Sequence, residues 1–170
     1  MRKILMTIAA VATVVTLAAG SAEAVNMKGK WGPGLSFEDI PLDVKFGVSP
    51  KMSVFGGFGF QDADSDPDGN TNFNIGAGFD YALFGNDDFN FNFQPSIQFL
   101  TGNGGDDIRV PLALSAEVWM NDRVSVSMSH GIVFTSYGDN SDTPGIDEGS
   151  STVGTYGSSV TAFRFRFWVK

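Results

Sequence analysis

Several groups of residues in this 170-residue chain have the types and spacing that chemistry requires. Asp64-x-Asp66-x-Asp68-Gly69 spaces carboxylates every second residue and matches the first half of a calcium-binding loop. Counted from Asp64 as position 1, the bidentate glutamate needed at position 12 is replaced by Ile75. Residues 62–70 therefore read as a solvated acidic loop, with weak calcium binding through Asp64, Asp66 and Asp68 at most. His130 is the single histidine and follows Ser129, but in an extended chain the two side chains point to opposite faces, beyond the reach a base needs to its nucleophile. The acid pairs Asp87-Asp88 and Asp106-Asp107 fall in turn-forming clusters and read as turn chemistry. No catalytic residue, metal centre or cofactor site is assigned, and a non-enzymatic protein is expected. The remaining charges, Asp43, Lys45, Asp80, Arg109, Glu117, Arg164 and Arg166, stand at alternate positions of otherwise apolar segments. They form the candidate constellation.

The elements that position them are strands. From Phe89 to Phe99 every odd residue is apolar and every even one polar, the period of a two-faced strand. Eight such segments can be traced, at about 28–37, 41–48, 52–61, 71–83, 89–100, 108–119, 124–137 and 153–169. Ser49-Pro50-Lys51, Gly85-Asn86-Asp87-Asp88 and Asn121-Asp122-Arg123 are short connections; residues 62–70, 101–107 and 138–152 are longer, Gly-rich and acidic. An even-stranded up-and-down barrel puts alternate connections at one rim, short ones periplasmic and long ones extracellular.

Met1-Arg2-Lys3 followed by the apolar run Ile4–Ala19 and by Ala22-Glu23-Ala24 reads as a secretory signal peptide, cleaved after Ala24, which leaves one domain over 25–170. That mature chain retains nine Lys and Arg against eighteen Asp and Glu, a formal −9, so nucleic acid is not an expected partner. With no cysteine, disulfides and thiolate metal sites are excluded. Twenty-one glycines and sixteen phenylalanines favour crowded strands and tight turns.

By parity the apolar faces carry Leu42, Val44 and Phe46; Phe73, Ile75 and Phe79; Val110, Leu112 and Leu114; Phe163, Phe165 and Phe167, without a charge. An eight-stranded interior is too narrow for such a set, so the apolar faces are expected to meet lipid and the charges to fill a packed lumen. Trp119 and Trp168 fall on the lumen parity, against that pattern. The expectation is an all-β, eight-stranded antiparallel up-and-down transmembrane β-barrel.

Eight segments, an export signal, rim-specific connections and the ending Phe163-Arg164-Phe165-Arg166-Phe167-Trp168-Val169-Lys170 together resemble the small eight-stranded outer-membrane barrels of the OmpA and OmpX type, over essentially the whole mature chain. The resemblance implies an assembly signal at Phe163, Phe165, Phe167 and Val169, read by the barrel-assembly machinery, although Val169 and Lys170 replace the usual terminal aromatic. Outer-membrane lipid and lipopolysaccharide are the partners it implies, with the chain a monomer in the bacterial outer membrane and weak divalent cation binding at the acidic loops. A narrow porin-like channel and a soluble periplasmic ligand-binding barrel are the alternatives.

Overall fold

The computed structural model describes residues 24–36, 40–62, 71–102, 105–136, 151–156 and 162–169. Alternating side chains become nine strands: β1 (Trp31–Ser36), β2 (Leu42–Gly47), β3 (Met52–Asp62), β4 (Thr71–Asn86), β5 (Phe89–Gly102), β6 (Gly105–Asn121), β7 (Val124–Ser136), β8 (Ser151–Tyr156) and β9 (Ala162–Phe167). Each strand from β1 to β7 pairs antiparallel with the next. Both β8 and β9 pair with β7, at its residues 131–136 and 124–129. Strand β9 then pairs with β1 through Gly34↔Arg166, Leu35↔Phe165 and Ser36↔Arg164. Strands β8 and β9 are thus two lengths of one stave, and the sheet closes as an antiparallel barrel of eight staves.

Two expectations about the ladder are corrected. The segment 153–169 is not one continuous strand: Ser129 pairs with Ala162 and Gly131 with Tyr156, so the pairing along β7 changes from β9 to β8 across His130. The stretch 101–107 is not a long connection, because the β5–β6 ladder runs on to Gly102↔Gly105. Asp106 and Asp107 accordingly belong to β6 and not to a turn. Only Asn103-Gly104 separates the strands, and this dipeptide favours a two-residue hairpin link.

The short connections share one rim. Asn86 Oδ1 accepts from the Asp88 amide at 3.0 Å and Asn121 Oδ1 from the Arg123 amide at 2.8 Å, so each turn is closed by its own asparagine. The ladder slips between Ala82 and Phe84 and again between Trp119 and Asn121 at this rim.

Facing follows the alternation. Among the described residues, 27 large apolar side chains are exposed on the outer wall, whereas the buried apolar set is seven residues. The interior instead holds Ser53, Asn90, Asn92, Gln94, Gln98, Ser115 and Ser129 beside the charges. The wall is also uneven in height. The β1–β2 hairpin stops where the Ser36 amide donates to the Pro41 carbonyl at 2.8 Å, while β3 runs four residues past its last β2 partner, Phe58, to Asp62.

Candidate functional site

The candidate site is the lumen, filled by two ion clusters and an aromatic floor. On β2, Lys45 and Asp43 are two residues apart and both turn inward. Lys45 Nζ meets Asp80 Oδ2 on β4 and Glu117 Oε2 on β6, the latter at 2.9 Å. Gln94 Nε2 on β5 donates to Asp80 Oδ1 at 2.7 Å, and Ser125 Oγ on β7 to Glu117 Oε1 at 2.7 Å. Trp168, just beyond β9, donates from Nε1 to Ser125 Oγ at 2.8 Å. One chain of polar contacts therefore runs from the eighth stave across the lumen to β5. Each carboxylate of this cluster has partners on both oxygens, the condition under which a buried charge is tolerable.

The second cluster inverts the stoichiometry. Asp43 Oδ2 accepts a hydrogen bond from Arg166 Nη2 at 2.8 Å, and ion-pair contacts run from Arg166 Nη2 to Oδ1 at 2.7 Å and from Arg164 Nε to Oδ2 at 3.1 Å. Arg166 Nη1 also donates to the Gly32 carbonyl at 2.8 Å. Glycine at 34 makes this possible, since a Cβ there would overlap Asp43 Oδ1 and lie 3.0 Å from Arg166 Nη2. Arg164 further stands 5.7 Å from the Phe55 ring on β3. One acid between two arginines has a surplus of +1, and one lysine between two acids has −1. The two clusters are adjacent, and their sum is neutral.

Below them, at the short-turn rim, Trp119 and Trp168 stack with centroids 4.9 Å apart and 23° between planes. Their lumen parity is thereby explained: they form a floor, sealed from beneath by Val25 and Met27 of the segment preceding β1. This strap is fastened by the Val25 amide to Asn90 Oδ1 at 2.7 Å, by the Met27 amide to the Pro50 carbonyl at 3.2 Å and by the Gly29 amide to the Gly47 carbonyl at 2.9 Å. Gly29 takes φ 78° to turn the strap into β1. Lys30 Nζ lies 4.3 Å over the Trp119 ring. Towards the opposite rim Ile40 leans over Gly57 and Gly76. A small cavity that it lines together with Phe55, Gln98 and Arg164 has a volume of about 20 Å³, room for roughly one water.

Of the seven charges expected to share the lumen, Asp43, Lys45, Asp80, Glu117, Arg164 and Arg166 meet in these clusters. Arg109 is half-buried on β6, opposite Gln98 and Thr135. Sequence reasoning did not identify Ser125, Gln94, the Gly32 carbonyl or the strap; the one signal was the pair of tryptophans on the wrong parity. Phe163, Phe165, Phe167 and Val169 face outward. His130 is exposed on the outer wall opposite Leu114, and Ser129 is buried inside. Asp64, Asp66 and Asp68, the leader, and Phe37 to Asp39 lie outside the described residues. Among those described, no group of three potential ligands is gathered around a metal position. Comparison with protein-family models, with curated proteins and with solved structures finds no match to this chain.

Proposed function

We propose that the chain is a bacterial outer-membrane β-barrel with a sealed lumen, acting without catalysis as a structural or surface-interaction protein. The observation that carries this reading is the inversion of the usual burial: the large apolar side chains are outside and the paired charges inside. An apolar surface running around the whole barrel far exceeds the few hundred Å² that a water-soluble monomer leaves bare, whereas in a bilayer it is the required surface. The outward-facing residues of β2 to β7 and β9 include no Lys or Arg, which near the bilayer centre would cost about 2–4 kcal/mol each. Strands β3 to β7, with 11 to 17 residues, reach or exceed the roughly 9–11 needed to cross obliquely.

In this reading residues 1–24 direct export, and the outward Phe163, Phe165, Phe167 and Val169 are offered to the assembly machinery. The short-turn rim faces the periplasm. The opposite rim carries the acidic connections, which share divalent cations with surrounding lipopolysaccharide. What speaks against a steady pore is that the aromatic floor and two ion clusters fill the described lumen. The test is a denaturing gel of the outer-membrane fraction with and without boiling. A heat-dependent change in migration is expected; a soluble periplasmic product that migrates identically either way overturns the reading.

A further inference from the structure

Beyond sealing and surface contact, we infer that the barrel floor carries a seat for this chain's own processed amino terminus: removal of residues 1–24 leaves an α-ammonium on Val25, and Asn90 holds it. This rests on the export reading. In the full-length chain the Val25 nitrogen is an amide, and it donates to Asn90 Oδ1 at 2.7 Å. Asn90 is 1% exposed and Val25 is buried, so the strap turns inward at the residue that follows the cut. Gly85, opposite Asn90 in the β4–β5 ladder, keeps the acceptor clear. A Cβ at 85 would lie 2.7 Å from Asn90 Oδ1 and 3.1 Å from Ala24 Cα. Hydrolysis of the Ala24–Val25 peptide bond by a leader peptidase consumes one water, leaving a carboxylate on Ala24 and an amine on Val25. That amine, with an ordinary pKa of about 8, takes up a proton at neutral pH.

The surroundings of Asn90 suit an ammonium better than an amide. On one side of Asn90 the ladder places Gly85 and on the other Glu117, and Cβ atoms of facing residues are about 5 Å apart. The nearest charged side chain along the wall is therefore a carboxylate. Glu117 belongs to the cluster in which one lysine serves two acids, and through Ser125 it is joined to Trp168 of the floor. An ammonium also makes the stronger bond, because charge-assisted hydrogen bonds are roughly twice as strong as neutral ones. Its two further N–H groups need partners. A hollow of about 540 Å³ adjoins Val25, lined also by Asn26, Lys28, Gly29, Lys30 and Asp87. It has one carboxylate on its wall and room for several waters. The cut that the Ala22-Glu23-Ala24 pattern marks and the acceptor that the fold buries thus meet at the same nitrogen.

The experiment is acetylation of the exported, processed protein in phosphatidylcholine vesicles by an N-hydroxysuccinimide ester at about pH 7, where an α-amine reacts ahead of lysine. Mass spectrometry follows the N-terminal peptide. Its sequence should begin at Val25, and its amine should react at least about tenfold more slowly than in urea-unfolded protein, while exposed Lys51 reacts at the same rate in both. Asn90→Ala should restore the unfolded rate. A glycine inserted between Ala24 and Val25 should do the same, because it carries the ammonium one residue off the seat and changes no residue of the barrel. A wild-type amine that reacts at the unfolded rate overturns the seat. Protection retained in either variant also overturns it, since the rim or the lipid is then what shields the amine, and so does a processed chain that begins elsewhere than Val25. A chain that still begins at Met1 overturns the export reading as well. The boiled and unboiled gel, run on each preparation, reports barrel formation independently of amine reactivity.

Discussion

Replacing Lys45 by methionine tests the lumen most directly. Lys45 is 5% exposed and is the cation between Asp80 and Glu117. At about 3 Å and an effective dielectric near 20, each attraction is on the order of 5 kcal/mol before desolvation is counted. Burial costs several kcal/mol per ion, so the intact cluster is close to balanced; removing one partner is what destabilises. Methionine preserves volume and leaves two carboxylates buried together without their cation. Gln94 and Ser125 still donate to one oxygen of each, which places the expected loss at the low end of the range for a broken buried pair, about 3 kcal/mol. The assay is a urea titration of folding into lipid vesicles, read by the gel shift. Adding Asp80→Asn and Glu117→Gln to the same protein removes the stranded charges and should recover stability to within about 1 kcal/mol of wild type. If Lys45→Met alone lies within about 0.5 kcal/mol of wild type, the carboxylates are hydrated and the dry, closed lumen argued above is wrong.

Gly34→Val should cost about 1–3 kcal/mol or more by forcing Asp43 off Arg166, while Gly56→Val, with open space at its Cβ, should be nearly neutral in the same vesicle titration. Trp168→Ala should lose about 3–5 kcal/mol through the cavity left beside Trp119; loss of the coupled-tryptophan signal in near-ultraviolet circular dichroism reports the same event. In planar bilayers the wild type should give no steady open conductance, and deleting 25–29 should not open one, because both ion clusters remain above the floor. A steady wild-type current would refute the sealed lumen.

The barrel and its facing were legible because a period of two, which a single sequence displays, sorts Asp43 and Lys45 from Leu42, Val44 and Phe46, and the narrow interior of eight strands then decides which set lies inside. The partners within the lumen were not legible. Which arginine reaches which acid depends on the stagger between staves, and nothing in a strand's own residues states that Gly34 lies opposite both Asp43 and Arg166. The hairpin at Asn103-Gly104 was a readable local signal that acidic, Gly-rich composition obscured. The strap was invisible for a different reason. Val25 and Met27 precede the first alternating segment, have no period of their own, and acquire meaning only from the stacked tryptophans they cover.

The arrangement of charge along the barrel axis argues that any activity resides at the rims. Between the two ion clusters each surplus is met by the neighbouring one, and passage would require breaking contacts between 2.7 and 3.1 Å in two successive layers. Outside the lumen the chain is polarised. At the short-turn rim Lys28, Lys30, Lys51 and Arg123 stand with Asp87, Asp88 and Asp122, whereas the connections at the other end have no Lys or Arg and carry nine acids. A barrel whose interior is filled by paired charges, and whose two ends differ in charge, can distinguish two aqueous compartments by orientation without transporting anything between them. On the membrane reading the acidic end repels lipopolysaccharide phosphates unless divalent cations intervene. Chelation of those cations should therefore loosen the association of the acidic rim with lipopolysaccharide while leaving the boiled and unboiled gel pattern unchanged, because no part of the ion clusters depends on them.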